Sequence, residues 1–150
     1  MTQIALPKID RSIVSRKDEI VKSLSKLTNS ENVLSHADEI KPYETDALAV
    51  YTQTPLAVVL PENTSEVSEI LKYCYGENIK VIPRGAGTGL SGGALPLQDA
   101  IVLGLGKFNK ILKIDFENRC VVTQPGVTNL GITTQYNIKD FTTHQIHLVN

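Results

Sequence analysis

Five of the ten glycines of this 150-residue chain lie in one segment of eleven, Pro83-Arg84-Gly85-Ala86-Gly87-Thr88-Gly89-Leu90-Ser91-Gly92-Gly93. This segment (the glycine loop, residues 83–93) follows an apolar run, 79–82, that predicts a strand. Closely spaced glycines allow a backbone with positive φ and bring its N–H groups near a ligand. N–H groups that face one concavity bind anions, usually a phosphate. We therefore predict a phosphate-binding loop, and the alternative is a flexible surface loop.

The sequence before the glycine loop predicts a strand, a helix and a second strand. The apolar run 56–60 ends at Pro61, which is typical of a strand buried on both faces. A helix follows, because apolar residues recur at helical spacing, with a cap expected within 63–65 and Gly76 as C-cap. Two strands joined by a helix within about 30 residues form a βαβ unit with parallel strands. Ligands collect at the carboxyl ends of such strands, where the glycine loop begins.

Short strands are predicted after the glycine loop. Three apolar runs indicate them, at 100–103, 111–115 and 120–123. Residues 116–119 make a hairpin turn between the last two. A second tight backbone point, 124–127, precedes a helix that Thr128 or Asn129 can cap.

The N-terminal part is predicted to be helical. Apolar residues recur near helical spacing from Ser12 to Leu27, with Ser12 or Ser15 as the cap. Residues 1–11 are expected to be loosely attached to the rest of the chain.

The residues 87–92 match the dinucleotide pattern G-x-G-x-x-G. A Rossmann site needs a helix that starts inside this motif and an acidic residue about 20 positions later. Gly92-Gly93 and Pro96 oppose a helix, and Lys107 stands where the acidic residue is expected. A Walker A loop is excluded, because no Lys-Ser or Lys-Thr follows a glycine at the required spacing. The phosphate is expected on a loop, where Arg84 either adds charge to a pyrophosphate or pins the loop to a neighbouring carboxylate.

Composition and charge exclude several classes of partner. A net charge of −1 leaves no basic surface for nucleic acid, and no apolar run reaches the roughly 20 residues of a membrane span. The N-terminus lacks a basic region followed by an apolar core, so we expect no secretory signal. Cys74 and Cys120 lie in apolar settings, which fits a reducing compartment and a cytoplasmic protein. His144 and His147 have no further ligands nearby, so no metal site is expected.

Three motifs make the chain similar to a known family of flavoproteins. Residues 81–97 closely resemble the pyrophosphate loop of FAD-linked oxidases of the vanillyl-alcohol oxidase type, whose FAD-binding domain is called PCMH-type. Tyr43-Glu44-Thr45-Asp46 and residues 124–130 resemble the branch of the glycolate oxidase FAD subunit and D-lactate dehydrogenase. The resemblance runs from about residue 12 to residue 134, with the motifs in the family's order.

The resemblance implies an α+β fold, the incomplete N-terminal part of a PCMH-type FAD-binding domain with a βαβ unit followed by short strands. Residues 41–134 would be this portion, and residues 1–40 a helical segment before it. The family oxidises a 2-hydroxy acid, glycolate or D-lactate, by passing a hydride to FAD, and relatives often work with an iron–sulfur partner subunit. No catalytic residue is assigned in this chain. Two alternatives stay open, a non-enzymatic nucleotide-binding module and a truncated product without function.

The match also assigns cofactor-binding residues. The FAD pyrophosphate would be wrapped by the glycine loop, namely Pro83, Arg84, Gly85, Ala86, Gly87, Thr88, Gly89, Leu90, Ser91, Gly92 and Gly93. Pro125, Gly126 and Val127 would approach the flavin end or the adenosine through their backbone. Some relatives bind the flavin covalently through a histidine in or near this loop, and this loop has no histidine. The FAD is therefore expected to bind non-covalently.

After Thr134 the resemblance stops, and the genetic code offers a reason. The family continues with a segment similar to K-G-F-Y-Y-A-P-D-P-S-S-Q, whereas this chain continues with residues 138–150. Synonymous codons for 138–150 exist such that the same bases, read from the third base of the Ile138 codon, encode that whole family segment. We therefore expect that a one-base loss or two-base gain between about Thr134 and Ile138 changed the reading frame. Residues 135–150 would then be a non-native tail of a marginally stable fragment that is inactive alone.

The frame-shift hypothesis predicts what the genomic DNA contains. Read in the alternative register, the bases after the Thr134 codon should encode the family segment and then continue as a long open frame with flavin-domain motifs. Resequencing the genomic DNA from this codon onward checks the prediction and separates a lesion in the gene from a sequencing error. Bases that do not encode the family segment in that register would contradict the hypothesis.

Overall fold

The computed structural model describes residues 7–136 and 147–149. The helices and strands of these residues are, in chain order, α1 (Arg11–Ser15), α2 (Lys17–Leu24), β1 (Val33–Leu34), α3 (Ala37–Ile40), β2 (Ala57–Val59), α4 (Thr64–Gly76), β3 (Lys80–Arg84), β4 (Ala100–Gly104), β5 (Ile111–Asp115), β6 (Cys120–Thr123), α5 (Asn129–Tyr136) and β7 (His147–Val149). The chain divides into two compact units, one up to Gly104 and one from Leu105. The predicted α+β class is confirmed.

Strand β4 is central in the sheet of the first unit, which has the order β1-β2-β4-β3. β2 and β3 both pair with β4 in parallel, and β1 pairs with β2 antiparallel. The predicted βαβ unit, β2-α4-β3, is confirmed with parallel strands, but β4 lies between the two. Every residue of β2 and β4 is buried, as the continuous apolar runs predict.

The core of the first unit is aliphatic. Ile20 and Leu24 of α2 and Ile70 of α4 are fully buried, as are Val58 and Val102 of the two inner strands. Burial of an aliphatic side chain of this size stabilises the fold by about 1.5–3 kcal/mol. The burial of Ile70 confirms that this residue lies on the apolar face predicted for α4.

Helix α4 starts as the sequence predicts. Asn63 is its N-cap, because its side chain accepts a hydrogen bond from the Glu66 N–H at 3.0 Å. Glu66 in turn accepts from the Asn63 side chain, the Glu62 N–H and the Thr28 hydroxyl. The Thr28 hydroxyl is the main cause that lowers the pKa of Glu66 below its ordinary value. Charge and hydrogen bonding thus both stabilise this helix end.

The end of α4 differs from the prediction. Gly76, expected as the C-cap, is the last helical residue, and the left-handed position beyond it is held by Asn78 with φ 55°. The Ile79 N–H donates to the Cys74 carbonyl at 2.8 Å and the Asn78 N–H to the Tyr75 carbonyl at 3.3 Å, the two bonds of a Schellman motif. The prediction is wrong because asparagine tolerates positive φ and takes the role usually given to glycine.

The predicted helix over 12–27 is two helices, α1 and α2, which are separated at Arg16 with φ −96° and ψ 13°. The cap is Asp10 and not Ser12 or Ser15. The Asp10 carboxylate accepts from the Ser12 N–H at 2.9 Å and from the Ser12 hydroxyl at 2.6 Å. These hydrogen bonds hold the pKa of Asp10 below its ordinary value. Because the ionised Asp10 carboxylate accepts two hydrogen bonds, Asp10 is the cap, two residues before the predicted cap Ser12.

Asp99, directly before β4, ties the N-terminal segment to the sheet. This carboxylate is 2% exposed and accepts from the Asp10 N–H at 2.7 Å and from the Lys80 ammonium at the start of β3. Burial raises the pKa of Asp99, but the hydrogen bonds from Lys80 and Asp10 outweigh it, so the pKa lies below its ordinary value. The chain between the glycine loop and β4 thus ends at a fixed, charged side chain.

The second unit contains the predicted hairpin of β5 and β6. The Asn118 N–H donates to the Asp115 carboxylate at 2.9 Å, and the backbone and side-chain bonds from Asn118 lower the pKa of Asp115 to about 2. Thr128 caps α5 as predicted, since its hydroxyl accepts from the Gly131 N–H at 3.0 Å. β7 pairs with β6 in parallel.

Most of the predicted non-native tail lies outside the described residues, and so does His144. Tyr136 ends α5 and residues 147–149 form β7, so only parts of 135–150 are described. The non-native origin of the tail stays a prediction. None of the helices within 7–136 has the length and hydropathy that a membrane crossing needs.

The end of α4 gives a stability prediction. Gly76→Ala should raise the free energy of unfolding by about 0.5–1 kcal/mol, because alanine loses less backbone freedom in a helix. A Cβ at this position meets nothing within 4 Å and φ is not positive. Urea unfolding followed by circular dichroism measures the effect. Asn78→Ala, at φ 55°, is the matched control and should lower the free energy of unfolding; a loss of stability in Gly76→Ala would contradict the helix end described here.

Candidate cofactor site

The glycine loop leaves the carboxyl end of β3, as predicted. β3 is the edge strand of its four-stranded sheet, so Pro83, which has no N–H to donate, is tolerated there. None of the residues 85–93 lies in a helix or a strand. The loop is therefore not a Rossmann or Walker turn, both of which lead into a helix.

Backbone N–H groups are the main donors that the loop offers. None of the eight N–H groups from Ala86 to Gly93 donates to another described residue. Gly87 and Gly92 both have φ 73°, a conformation that other residues rarely adopt. The side chains of Thr88 and Ser91 are exposed and add two hydroxyl groups. This donor set is of the kind that binds an anion.

At three further positions of the loop, neither packing nor backbone conformation requires glycine. A Cβ built at Gly85, Gly89 or Gly93 meets no atom within 4 Å, and none of the three has a positive φ. The space beside them is open to a ligand that approaches the backbone closely, which is the usual reason for glycine in a phosphate-binding loop.

Arg84 is 9% exposed, and its guanidinium is held by carbonyl groups. Nη1 donates to the Thr45 carbonyl at 2.8 Å and to the Ala94 carbonyl at 3.5 Å, and Nη2 donates to the Pro42 carbonyl at 3.4 Å. Its central carbon lies 5.5 Å from the centroid of the Tyr43 ring. Of the two roles left open by the sequence, the structure shows the pinning role, with backbone carbonyls in place of the expected carboxylate. Contact of Arg84 with a pyrophosphate stays a prediction.

Residues 42–47 (the platform segment) support the glycine loop, a role that the sequence did not reveal. The Ala47 N–H donates to the Gly87 carbonyl at 2.9 Å. The segment is itself held by the Thr45 hydroxyl, which donates to the Tyr51 carbonyl at 3.0 Å, and by the Gln53 N–H, which donates to the Glu44 carbonyl at 2.9 Å. The available signal was the family motif at 43–46, which lies in a segment that is otherwise typical of a plain loop.

Asp46 is the buried charged residue of the platform segment, at 5% exposure. Its Oδ1 accepts from the Leu48 N–H at 2.9 Å. Its Oδ2 has no hydrogen-bond partner among the described residues. A buried carboxylate oxygen without a donor costs folding free energy. The fold therefore tolerates an unfavourable group directly beside the glycine loop.

The second predicted part of the site, Pro125, Gly126 and Val127, lies between β6 and α5 in the second unit. The Gly126 N–H donates to the Phe108 carbonyl at 2.7 Å. A Cβ at Gly126 would lie 2.7 Å from that oxygen and 2.9 Å from the Leu105 carbonyl, so close backbone packing requires glycine here. The glycine loop belongs to the other unit, and a joint contact of both parts with FAD stays a prediction.

Neither metal binding nor thiol chemistry is indicated in the described part of the chain. Its His, Cys, Asp and Glu side chains form no group of three that could hold a metal ion. Cys74 is 1% exposed, and burial raises its pKa to about 11, so the thiol stays protonated at neutral pH. Cys120 is also a free thiol.

The donor set fits one part of FAD in particular. The pyrophosphate of FAD offers oxygen atoms that only accept hydrogen bonds, and the loop offers N–H groups, two hydroxyls and open space beside three glycines. The residues present therefore match the pyrophosphate.

A comparison with known families agrees with this chemistry. The family described as FAD binding domain matches residues 55–144, which is more than half of the chain. The chain belongs to this FAD-binding domain family. The matched range contains the glycine loop and residues 125–127, and it extends past Thr134.

Relatives of this FAD-binding domain are oxidases and dehydrogenases by name. The chain is 41% identical over 129 residues to glycolate oxidase subunit GlcD of Escherichia coli strain K12, covering 86% of this chain and 25% of that protein. It is 31% identical over 121 residues to the mitochondrial D-2-hydroxyglutarate dehydrogenase of Arabidopsis thaliana, covering 81% and 22%. The crystal structure of p-cresol methylhydroxylase with substrate bound matches with a TM-score of 0.71 and 27% identity, covering 82% and 25%. The chain thus spans about a quarter of the length of its relatives.

The packing of Gly126 gives a prediction for the second part of the site. Gly126→Ala should lower the free energy of unfolding by about 1–3 kcal/mol, because the added methyl overlaps two carbonyl oxygens. Gly106→Ala is the control, since a Cβ there meets nothing within 4 Å. Urea unfolding of both variants measures the difference. Equal stability of the two variants would show that the backbone contact at Gly126 is not formed.

Proposed function

We propose that this chain is the pyrophosphate-binding part of an FAD-dependent oxidoreductase that oxidises a 2-hydroxy acid, such as glycolate or D-lactate, to the 2-oxo acid. The observation that carries the proposal is the run of N–H groups in the glycine loop that have no acceptor among the described residues. Membership of the FAD-binding domain family supports the cofactor. The names of two relatives support the substrate class, because glycolate and D-2-hydroxyglutarate are both 2-hydroxy acids.

In this proposal the chain binds and orients the cofactor. The N–H groups from Ala86 to Gly93 donate to the pyrophosphate, and the backbone of 125–127 approaches the flavin end or the adenosine. Bound FAD supplies the acceptor for the hydride that leaves the α-carbon of the acid. No residue of this chain is assigned the part of acid or base. Tyr43 and Asp115 have structural partners here: the Arg84 guanidinium lies over the Tyr43 ring, and Asp115 accepts hydrogen bonds in the hairpin turn.

We propose three further properties of the whole protein. FAD binds non-covalently, since the glycine loop contains no histidine. The protein works with an iron–sulfur partner subunit. The Escherichia coli relative is named as a subunit, which supports a partner but not its iron–sulfur nature. It acts in the cytoplasm. Because the chain spans about a quarter of its relatives, we expect it to bind FAD without oxidising substrate by itself.

Binding of FAD to the purified chain tests the proposal. We expect FAD to bind and ADP, which has the pyrophosphate without the flavin, to compete. Gly92→Ala should weaken FAD binding about tenfold, because a side chain disfavours φ 73° by roughly 1–2 kcal/mol and the free loop would leave the conformation that binds FAD. Gly76→Ala, on helix α4 and outside the glycine loop, is the matched control and should leave the affinity unchanged, since its Cβ meets nothing within 4 Å and its φ is not positive. Titration of the flavin fluorescence measures both affinities.

Three results would change the proposal. A folded chain that binds neither FAD nor ADP would overturn the assignment of the glycine loop. Tighter binding of a nucleotide other than FAD would favour the non-enzymatic binding module. Anaerobic bleaching of bound FAD by glycolate or D-lactate would show that this chain oxidises substrate alone, contrary to our expectation.

A further inference from the structure

We propose that Arg84 is a positioning residue, which fixes the glycine loop for the cofactor through backbone contacts and does not itself touch the pyrophosphate. The inference rests on the proposed FAD-binding function of the loop. It goes beyond that function because the match to the family assigns Arg84, like every residue of the loop, to cofactor contact. The observation behind it is the position of the guanidinium between the platform segment and the chain that follows the loop.

Arg84 joins the two ends of the glycine loop. It is the last residue of β3, and its Nη1 donates at 3.5 Å to the carbonyl of Ala94, which directly follows the loop. The same nitrogen donates at 2.8 Å to the carbonyl of Thr45 in the platform segment. A third tie lies within the loop, where the Gly87 carbonyl accepts from the Ala47 N–H. The start and an inner point of the loop are thus held to the platform segment, and the residue that follows the loop is held to Arg84.

The loop also packs against the guanidinium at Gly87. A Cβ built at this position would overlap Nη2 and the central carbon of the Arg84 guanidinium. Gly87 is therefore glycine for two reasons, its φ of 73° and the side chain beside it. The position of the arginine and the path of the loop depend on each other.

Burial and existing hydrogen bonds limit the access of the Arg84 guanidinium to a phosphate. Arg84 is 9% exposed, three of the five N–H groups of its guanidinium donate to carbonyl groups, and the guanidinium lies over the Tyr43 ring. A move of the guanidinium toward the pyrophosphate would break these hydrogen bonds, and buried carbonyl groups without a donor are costly. No carboxylate of a described residue forms an ion pair with Arg84. The planar guanidinium thus donates to several carbonyl groups at once, and a lysine ammonium is a poor substitute for it in this geometry.

Contacts that preorganise the glycine loop should increase its affinity for FAD. A glycine-rich segment has many conformations when free, and fixing it on binding costs affinity. Contacts that hold the loop before FAD arrives remove part of that cost. Loss of the contacts should weaken FAD binding even though no contact with FAD is lost.

The test compares Arg84→Lys and Arg84→Gln by FAD titration. Lysine keeps the positive charge but not the planar fork, so a positioning role predicts that both variants lose affinity about equally, by roughly tenfold or more. Direct contact with the pyrophosphate predicts that lysine retains most of the affinity, because an ammonium binds phosphate as a point charge. Retention in Arg84→Lys with loss in Arg84→Gln would therefore overturn the proposal. Arg11→Gln, an exposed arginine on α1, controls for the change in net charge.

A second measurement reads the loop without the cofactor. Hydrogen exchange of the Ala47 N–H should become faster in both Arg84 variants, because its bond to Gly87 depends on the position of the loop. Unchanged exchange in a folded variant would also overturn the proposal. If Arg84→Gln does not fold, Tyr43→Leu removes the ring below the guanidinium and should give the same change in smaller measure. If the wild-type chain does not bind FAD, the proposed function fails, while Ala47 exchange still decides the role of Arg84 on the loop.

Gly87→Ala gives a double-mutant test of the same contact. Combined with Arg84→Gln, Gly87→Ala should reduce FAD affinity less than it does in the wild-type background, because a shorter, uncharged side chain relieves the overlap with the new methyl. The part of the loss caused by φ 73° remains in both backgrounds. Strictly additive losses would show that residue 84 and the loop at Gly87 are not in contact.

Discussion

Burial of strand β4 between β2 and β3 is the constraint on which the first unit depends. All five residues of β4 are buried, so its N–H and C=O groups have no water to bond to and must pair with the strands on both sides. Because β3 and β4 are parallel, the chain must return from the carboxyl end of β3 to the amino end of β4. Residues 85–99 make this return without a helix or a strand. The proposed cofactor loop is thus the first part of a connection that the sheet requires.

The glycines of this loop meet two different demands. Gly87 and Gly92 serve the fold, because their φ of 73° gives the loop its path, and Gly87 also leaves room for the Arg84 guanidinium. A Cβ added at Gly85, Gly89 or Gly93 would meet no described atom within 4 Å, so these glycines leave the backbone open to a ligand. The five glycines look alike in the sequence, but the structure divides them into two that shape the loop and three that leave its backbone open. A fixed shape, together with N–H groups that have no acceptor among the described residues, is what the proposed binding role requires.

The sequence predicted the elements better than it predicted their order and their ends. Continuous apolar runs identified β2 and β4, because strands buried on both faces need them, but the runs say nothing about which strand is the neighbour. Gly76 was wrong as a helix end, since Asn78 adopts positive φ as well, and Ser12 was wrong as a cap, since Asp10 offers a charged acceptor. The glycine loop was predicted from local chemistry. The partners of Arg84 were not, because they are carbonyl groups, which every residue carries and no side-chain pattern reveals.

The hydrogen bonds of Asp99 have a consequence for how the protein is handled. The carboxylate that closes the connection into β4 takes a donor from the backbone of Asp10, which is among the first residues described. A protease that removes the segment through Asp10 would withdraw that donor from a buried charge, and burial makes such a loss expensive. Damage at the N-terminus would then destabilise the chain at Asp99, directly before β4 and 89 positions away in the sequence. Shortened forms of this protein made for expression should therefore keep Asp10.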